Sequence, residues 1–327
     1  MTSPAEGAMS EGLVGLPEVE AAAHRLAGIA LRTPLHPADA VSEATGAEVR
    51  LKCENLQRAG SFKIRGAYNF ISMIPDDRLR TGIITYSSGN HAQAVALAGK
   101  LRGVRVLVVM PTTAPEVKRE GARRLGAEVV FEGTTSVERK LRADAIAREE
   151  GLQMVPPFDH RHIIAGQGTV GLEIAQDWPD VDLVLVPIGG GGLASGVAAA
   201  VKRMLPRARV VGVEPEGSAS MRRALDAGGP TMLPEIDTIA DGLAPVMAGE
   251  LTFEHARELL DDVVTVEDDA ILEATRLLVA RQKLVVEFSG AASTAALLSG
   301  VVAAQGARVA IVVSGGNLDP SLLARLA

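Results

Sequence analysis

The chain has 327 residues, 47% of them hydrophobic and 22% charged, with a formal net charge of -7. That length holds one large or two ordinary domains with a sizeable core, and the composition excludes wholesale disorder. The negative balance argues against nucleic acid as the main partner, no apolar run approaches the roughly 18 residues of a membrane span, and the single cysteine, Cys53, excludes an internal disulfide framework.

Residues 1–15 carry Glu6 and Glu11 and no basic region leading into an apolar stretch. They read as a mobile tail rather than a secretory signal, so the cytoplasm is the expected compartment. Cys53 lies in the apolar run EVRLKCE, as a buried small residue rather than a nucleophile. Lys63 opens an apparent helix after Gly60, Ser61 and Phe62. By spacing alone it is either a solvated side chain or a catalytic amine.

Short runs rich in Val and Ile follow: GIITY (82–86), VRVLVVM (104–110), AEVVF (127–131), DLVLVPI (182–188), RVVGVE (209–214) and RVAIVVS (308–314). They lack polar alternation, as strands buried on both faces do. Helical patterns lie between them. In 115–125, Val117, Gly121 and Leu125 recur every four residues. Residues 267–283 open with Glu267, Asp268 and Asp269 and close with Arg281 and Lys283, which suits the helix dipole. The Pro/Gly-rich stretch 228–249 is a long loop of the kind that often serves function. This alternation predicts an α/β fold with mostly parallel sheets, two in number.

Three strands end in small polar loops, where open parallel sheets bind ligands. The first is Ser87-Ser88-Gly89-Asn90-His91, with Asn90 suited to cap the helix 91–101. The second is Gly189-Gly190-Gly191-Gly192-Leu193. Its glycines let successive N–H groups approach an anion, and a helix from about Leu193 adds its positive end. The same residues also fit a dinucleotide fingerprint, Gly189, Gly191 and Ala194, with Glu214 placed as a ribose-binding acid. The third loop is Ser314-Gly315-Gly316-Asn317.

The segment Ser61-Phe62-Lys63-Ile64-Arg65-Gly66-Ala67 resembles the cofactor-lysine motif of the serine/threonine dehydratase and serine racemase family. These are fold-type II pyridoxal-phosphate enzymes, a group that includes tryptophan synthase β. The three loops resemble the family's substrate and cofactor-ring loop, its phosphate loop and its pyridine-nitrogen motif, in the same order. Four ordered motifs outweigh the dinucleotide pattern. The resemblance implies a two-domain α/β fold with open, mostly parallel twisted sheets. The expected division is a tail over 1–15, a large cofactor domain over 16–78 and 149–327, and a small substrate domain over 79–148.

The resemblance also implies roles. Lys63 would form the Schiff base with pyridoxal 5'-phosphate, and Phe62 would lie against its ring. Asn90 would bond the ring hydroxyl. Gly189, Gly190, Gly191, Gly192 and Leu193 would hold the phosphate, and Ser314 would bond the pyridine nitrogen. Ser87, Ser88, Gly89, Asn90 and His91 would bind the substrate, with Ser88 as the second acid/base opposite Lys63. A hydroxyl at the pyridine nitrogen favours β-elimination over transamination. The implied reaction converts L-threonine to 2-oxobutanoate and ammonia, and L-serine to pyruvate; amino-acid racemisation is the alternative. Some members bind a divalent metal through an acid and an aspartate six positions on. Here Glu214 is followed by Ser218 and Ser220, which leaves open whether a divalent or a monovalent cation binds and assigns no metal ligand. The chain stops ten residues after Asn317, as expected of a short form without a regulatory domain. A homodimer or homotetramer is expected, with a small amino acid as substrate and neither nucleic acid nor membrane as partner.

Overall fold

The structure, a computed structural model, describes residues 12–87, 89–114 and 116–326. The chain opens with helix α1 (Leu16–Leu26), strand β1 (Leu35–Pro37), helix α2 (Asp39–Thr45) and strand β2 (Glu48–Cys53). Helices α3 (Lys63–Ser72) and α4 (Asp76–Leu79) lead into four strand–helix units. These are β3 (Ile83–Tyr86) with α5 (Asn90–Arg102), β4 (Val106–Met110) with α6 (Glu116–Arg124), β5 (Glu128–Phe131) with α7 (Ser136–Glu150), and β6 (Gln153–Met154) with α8 (Arg161–Asp177). Then come β7 (Leu183–Pro187) with α9 (Gly192–Met204), and β8 (Arg209–Pro215) with α10 (Ser220–Ala227) and α11 (Glu250–Leu259). The last elements are β9 (Asp262–Val266) with α12 (Asp268–Ala280) and α13 (Phe288–Leu298), then β10 (Arg308–Val313).

The strands form two sheets. One has six strands in the order β1-β2-β10-β7-β8-β9, and the other four in the order β5-β4-β3-β6. Every pairing is parallel except β1 with β2. The fold is therefore the α/β architecture with mostly parallel sheets that the alternating runs predict. Strands β4 and β7 are buried along their whole length, because helices cover both faces.

Several expectations need correction. The run at 127–131 forms β5, but Glu128 and Phe131 are exposed, because β5 is the edge of its sheet. The expected boundary at 149 falls early: β6 pairs with β3, so the small sheet reaches Met154. Helix α3, placed with the large domain, sends Ile64, Ala67 and Ile71 into the core beneath β3 and β4. The expected tail is anchored by residue 14, since Val14 is buried and its N–H donates to His255 Nε2 at 2.8 Å; residues 1–11 lie outside the described residues. Helix α12 starts at Asp268 and ends at Ala280, inside the 267–283 window. The 228–249 stretch is irregular apart from one 3-10 turn at Asp241–Leu243.

Cys53 is buried at the end of β2, and burial pushes its thiol up to about 12, so it is a core residue and no nucleophile. Among the described residues, no helix is long and apolar enough to cross a membrane.

Candidate active site

The loops singled out in the sequence meet at the C-terminal ends of β3, β7 and β10. Strand β10 runs into Ser314, and the chain beyond it zips onto the segment before α3. Phe62 N–H donates to the Ser314 carbonyl at 3.2 Å, Ser61 bridges Gly315, and Gly316 N–H donates to the Gly60 carbonyl at 2.9 Å. Asn317 closes the corner by donating its Nδ2 to the Ala59 carbonyl at 2.8 Å and to Asn90 Oδ1 at 2.7 Å. Lys63, at the head of α3, thus starts from a backbone fixed on both sides.

The Lys63 Nζ donates to the Pro157 carbonyl at 2.9 Å and lies 5.2 Å from the centre of the Phe62 ring. Burial lowers its pKa to about 8, against the pull of the nearby Glu287 charge. A lysine in that state supplies free amine near neutral pH, which imine chemistry and general-base work both need.

Asn90 is not the helix cap the sequence suggests. Gly89 holds the cap position of α5, and the Asn90 amide turns away from its own helix. Its Nδ2 donates to Glu287 Oε1 at 2.6 Å, while its Oδ1 accepts from Asn317. Glu287 precedes α13 and makes no side-chain capping bond either. Burial and the charge of Asp241 push its carboxyl up to about 7. Ser314 is buried with its hydroxyl 3.5 Å from the Ser289 carbonyl, and Ser87 Oγ accepts from Gly89 N–H at 3.3 Å.

His91 faces inward. Its Nε2 lies 3.2 Å from the Val155 carbonyl, and burial together with the Lys63 charge lowers its pKa to about 3. The ring is a neutral core group. Ser88 lies outside the described residues.

The tetraglycine loop joins β7 to α9. A side chain at Gly190 would overlap the ring of Phe158, and Gly191 has a φ of +93, which favours glycine. Among the described residues, the N–H groups of Gly189, Gly190 and Gly191 have no acceptor in the chain. Those of Gly192 and Leu193 head α9, where the first turn has no partner of its own. Five successive donors at a helix N-terminus form a cradle that fits a phosphate. Glu214 does not reach that cradle. Its carboxylate accepts from Met221 N–H and Arg222 N–H, each at 2.8 Å, and from Ser220 Oγ at 3.4 Å. It caps α10, so it can serve no ribose.

The residues present therefore fit a pyridine cofactor with a phosphate arm: a half-buried amine, an apolar ring, a buried hydroxyl and an anion cradle. A family model for pyridoxal-phosphate dependent enzymes matches residues 27–315. The chain belongs to that family. The L-threonine ammonia-lyase of Thermotoga maritima is 42% identical over 96% of this chain and 78% of its own. The catabolic L-threonine dehydratase of Escherichia coli K12 is 41% identical over 96% of both chains. A serine racemase of Oryza sativa subsp. japonica is 39% identical over 98% of this chain and 96% of its own. Among solved structures, maize serine racemase superposes with a TM-score of 0.92 at 38% identity, covering 95% of this chain and 96% of the other. The processed form of threonine deaminase isoform 2 from Solanum lycopersicum gives a TM-score of 0.91 at 38% identity, covering 95% and 86%. The cofactor is pyridoxal phosphate.

Sequence reasoning missed several residues of this site. Glu287 reads in the sequence as an ordinary acid before a helix, and nothing in its spacing ties it to Asn90. It also missed the buried ionic cluster around Arg65, two residues beyond Lys63. Arg65 donates Nε and an Nη to Glu54, and both Nη atoms to Glu173, at 2.7 to 2.9 Å, while Lys52 Nζ sits 2.5 Å from Glu173. All four are buried, Glu173 at 9% exposure. Burial alone would raise the Glu54 carboxyl, yet the Arg65 guanidinium holds it below its ordinary value. Opposite charges on either side of an apolar residue at the buried end of β2 were the one available signal: Lys52 and Glu54 flank Cys53.

Proposed function

We propose that this chain is an ammonia-lyase that converts L-threonine to 2-oxobutanoate and ammonia, and L-serine to pyruvate and ammonia. The observation that carries the reading is the half-buried Lys63 amine at the head of α3, next to Phe62, whose N–H bonds the Ser314 carbonyl, with its pKa lowered to about 8. Relatives named as threonine ammonia-lyase or dehydratase, 41% to 45% identical, supply the substrate class.

In this reading Lys63 holds the cofactor through its Nζ, and the amides of Gly189 to Leu193 hold its phosphate. Phe62 covers the ring, Asn90 faces the ring hydroxyl and Ser314 faces the pyridine nitrogen. The cofactor, when bound, supplies an electron sink for a substrate carbanion at Cα. Once the substrate amine has displaced its Nζ from the cofactor, Lys63 would take the α-proton as free amine. The β-hydroxyl would leave as water by taking a proton, for which the Lys63 ammonium just formed is a donor, and uptake of a water would then release ammonia and the keto acid. Asn90, held by Glu287 and Asn317, keeps one orientation through the cycle. In this reading Ser87 and Gly89 bind the substrate carboxylate, and Ser88, which lies outside the described residues, is the second acid/base. His91 supports that loop from inside rather than touching substrate. The six-stranded unit carries the cofactor and the four-stranded unit the substrate loop. The reading carries with it a cytoplasmic homodimer or homotetramer; the lone buried cysteine suits a reducing compartment.

The test is incubation with L-threonine. Keto acid should form with the wild type and vanish with Lys63→Ala. Retained turnover in the variant would sink the assignment. Amino-acid racemisation is the second reading, favoured by the serine racemases of Oryza and maize at 39% and 38% identity. It predicts D-amino acid as the main product.

A further inference from the structure

The tetraglycine loop is braced on its α11 side by Thr252, which Asp159 holds in place. Thr252, in the first turn of α11, is fully buried, and its hydroxyl donates to the Gly190 carbonyl at 2.7 Å. Its own N–H donates to Asp159 Oδ1 at 3.1 Å, and Glu250 N–H donates to Asp159 Oδ2 at 3.0 Å. Asp159, just ahead of α8, thereby caps α11 and sets where Thr252 stands. The brace is tight: a Cβ on Gly191 would come 2.7 Å from the Thr252 Cβ.

A trans peptide unit is planar, so the Gly190 carbonyl and the Gly191 N–H point in opposite directions. A hydroxyl that fixes the carbonyl also fixes the amide. With the carbonyl drawn to α11, the Gly191 N–H is turned to the side away from α11. A glycine run has no side chains to hold such an orientation, and left alone its peptide planes rotate freely.

We propose that Thr252, seated by Asp159, is a positioning residue for the cofactor phosphate, aiming the Gly191 amide through the Gly190 carbonyl. This rests on the reading of the tetraglycine loop as the phosphate site. Affinity for the phosphate then depends on a hydroxyl that never meets it.

The experiment compares two ligands, pyridoxal phosphate and pyridoxal, which lacks the phosphate. Their dissociation constants are measured by cofactor absorbance for the wild type, Thr252→Val, Thr252→Ser and Gly190→Ala. Thr252→Val should weaken pyridoxal phosphate about tenfold, the size of one buried hydrogen bond lost, and leave pyridoxal unchanged. Thr252→Ser keeps the donor and should restore the wild-type value. Equal losses for both ligands, or none for either, would overturn the proposal. Should Thr252→Val not fold, Asp159→Asn must weaken pyridoxal phosphate alone, and a variant that weakens both ligands alike counts against the brace. Gly190→Ala separates the two levels. If it too fails to discriminate between the ligands, the phosphate assignment itself is wrong. If it discriminates and Thr252→Val does not, only the brace is wrong.

Discussion

The two ends of the site are built by different means. The phosphate end is backbone: five successive amides from Gly189 to Leu193, with Phe158 and Thr252 packed so closely that side chains have no room. The ring end is a mesh of side chains, in which Asn317, Asn90 and Glu287 are linked in series and the Glu287 charge acts on Lys63. Backbone donors suit an anion that must be held at every pH, because they do not titrate themselves. Side chains suit the end where protons move, because burial can tune them. Lys63, brought down to about 8, and Glu287, brought up to about 7, show that tuning in both directions.

The largest expected effect lies in the buried cluster around Arg65. Arg65→Met leaves Glu54 and Glu173 buried with too little positive charge, and should cost about 3–5 kcal/mol of stability in a denaturant titration. Arg65→Lys, which keeps the charge but loses the fork, should cost less. A loss within about 0.5 kcal/mol for Arg65→Met, the range of an ordinary surface change, would show the cluster to be dispensable.

Next comes the pH response of the ring end. Glu287 is raised from 4.5 to about 7. Between those values the folded chain binds a proton that the unfolded chain has lost, so this residue's contribution to stability rises as pH falls through 7. Above 7 the buried charge costs up to about 3 kcal/mol. Glu287→Gln, freed of cofactor, should therefore melt above the wild type at pH 8, with the advantage fading towards pH 4.5. A constant difference across that range would contradict the shift. The smallest effect sits at the backbone end, the roughly tenfold loss with Thr252→Val.

The backbone end was the legible one. Four consecutive glycines between an apolar run and a helical pattern announce an anion cradle with no structure in hand, and the strand at each loop follows from uniform Val and Ile runs. At the ring end Phe62, Lys63, Asn90 and Ser314 could be named only through family motifs. Its linkage was hidden because Asn90 and Glu287 stand 197 positions apart. At those positions an amide and an acid also make ordinary helix caps. Short strands were hidden too: β1, β6 and β9 are too brief or too polar for a periodic signal.

The central claim is that this site expels a β-hydroxyl instead of inverting Cα. The measurement that tests it most directly is the partition of L-serine, with pyruvate and D-serine quantified from one reaction of the wild type. Pyruvate in clear excess, with both products lost in Lys63→Ala, is the predicted result. D-serine as the main product would contradict the account and make the protein a racemase.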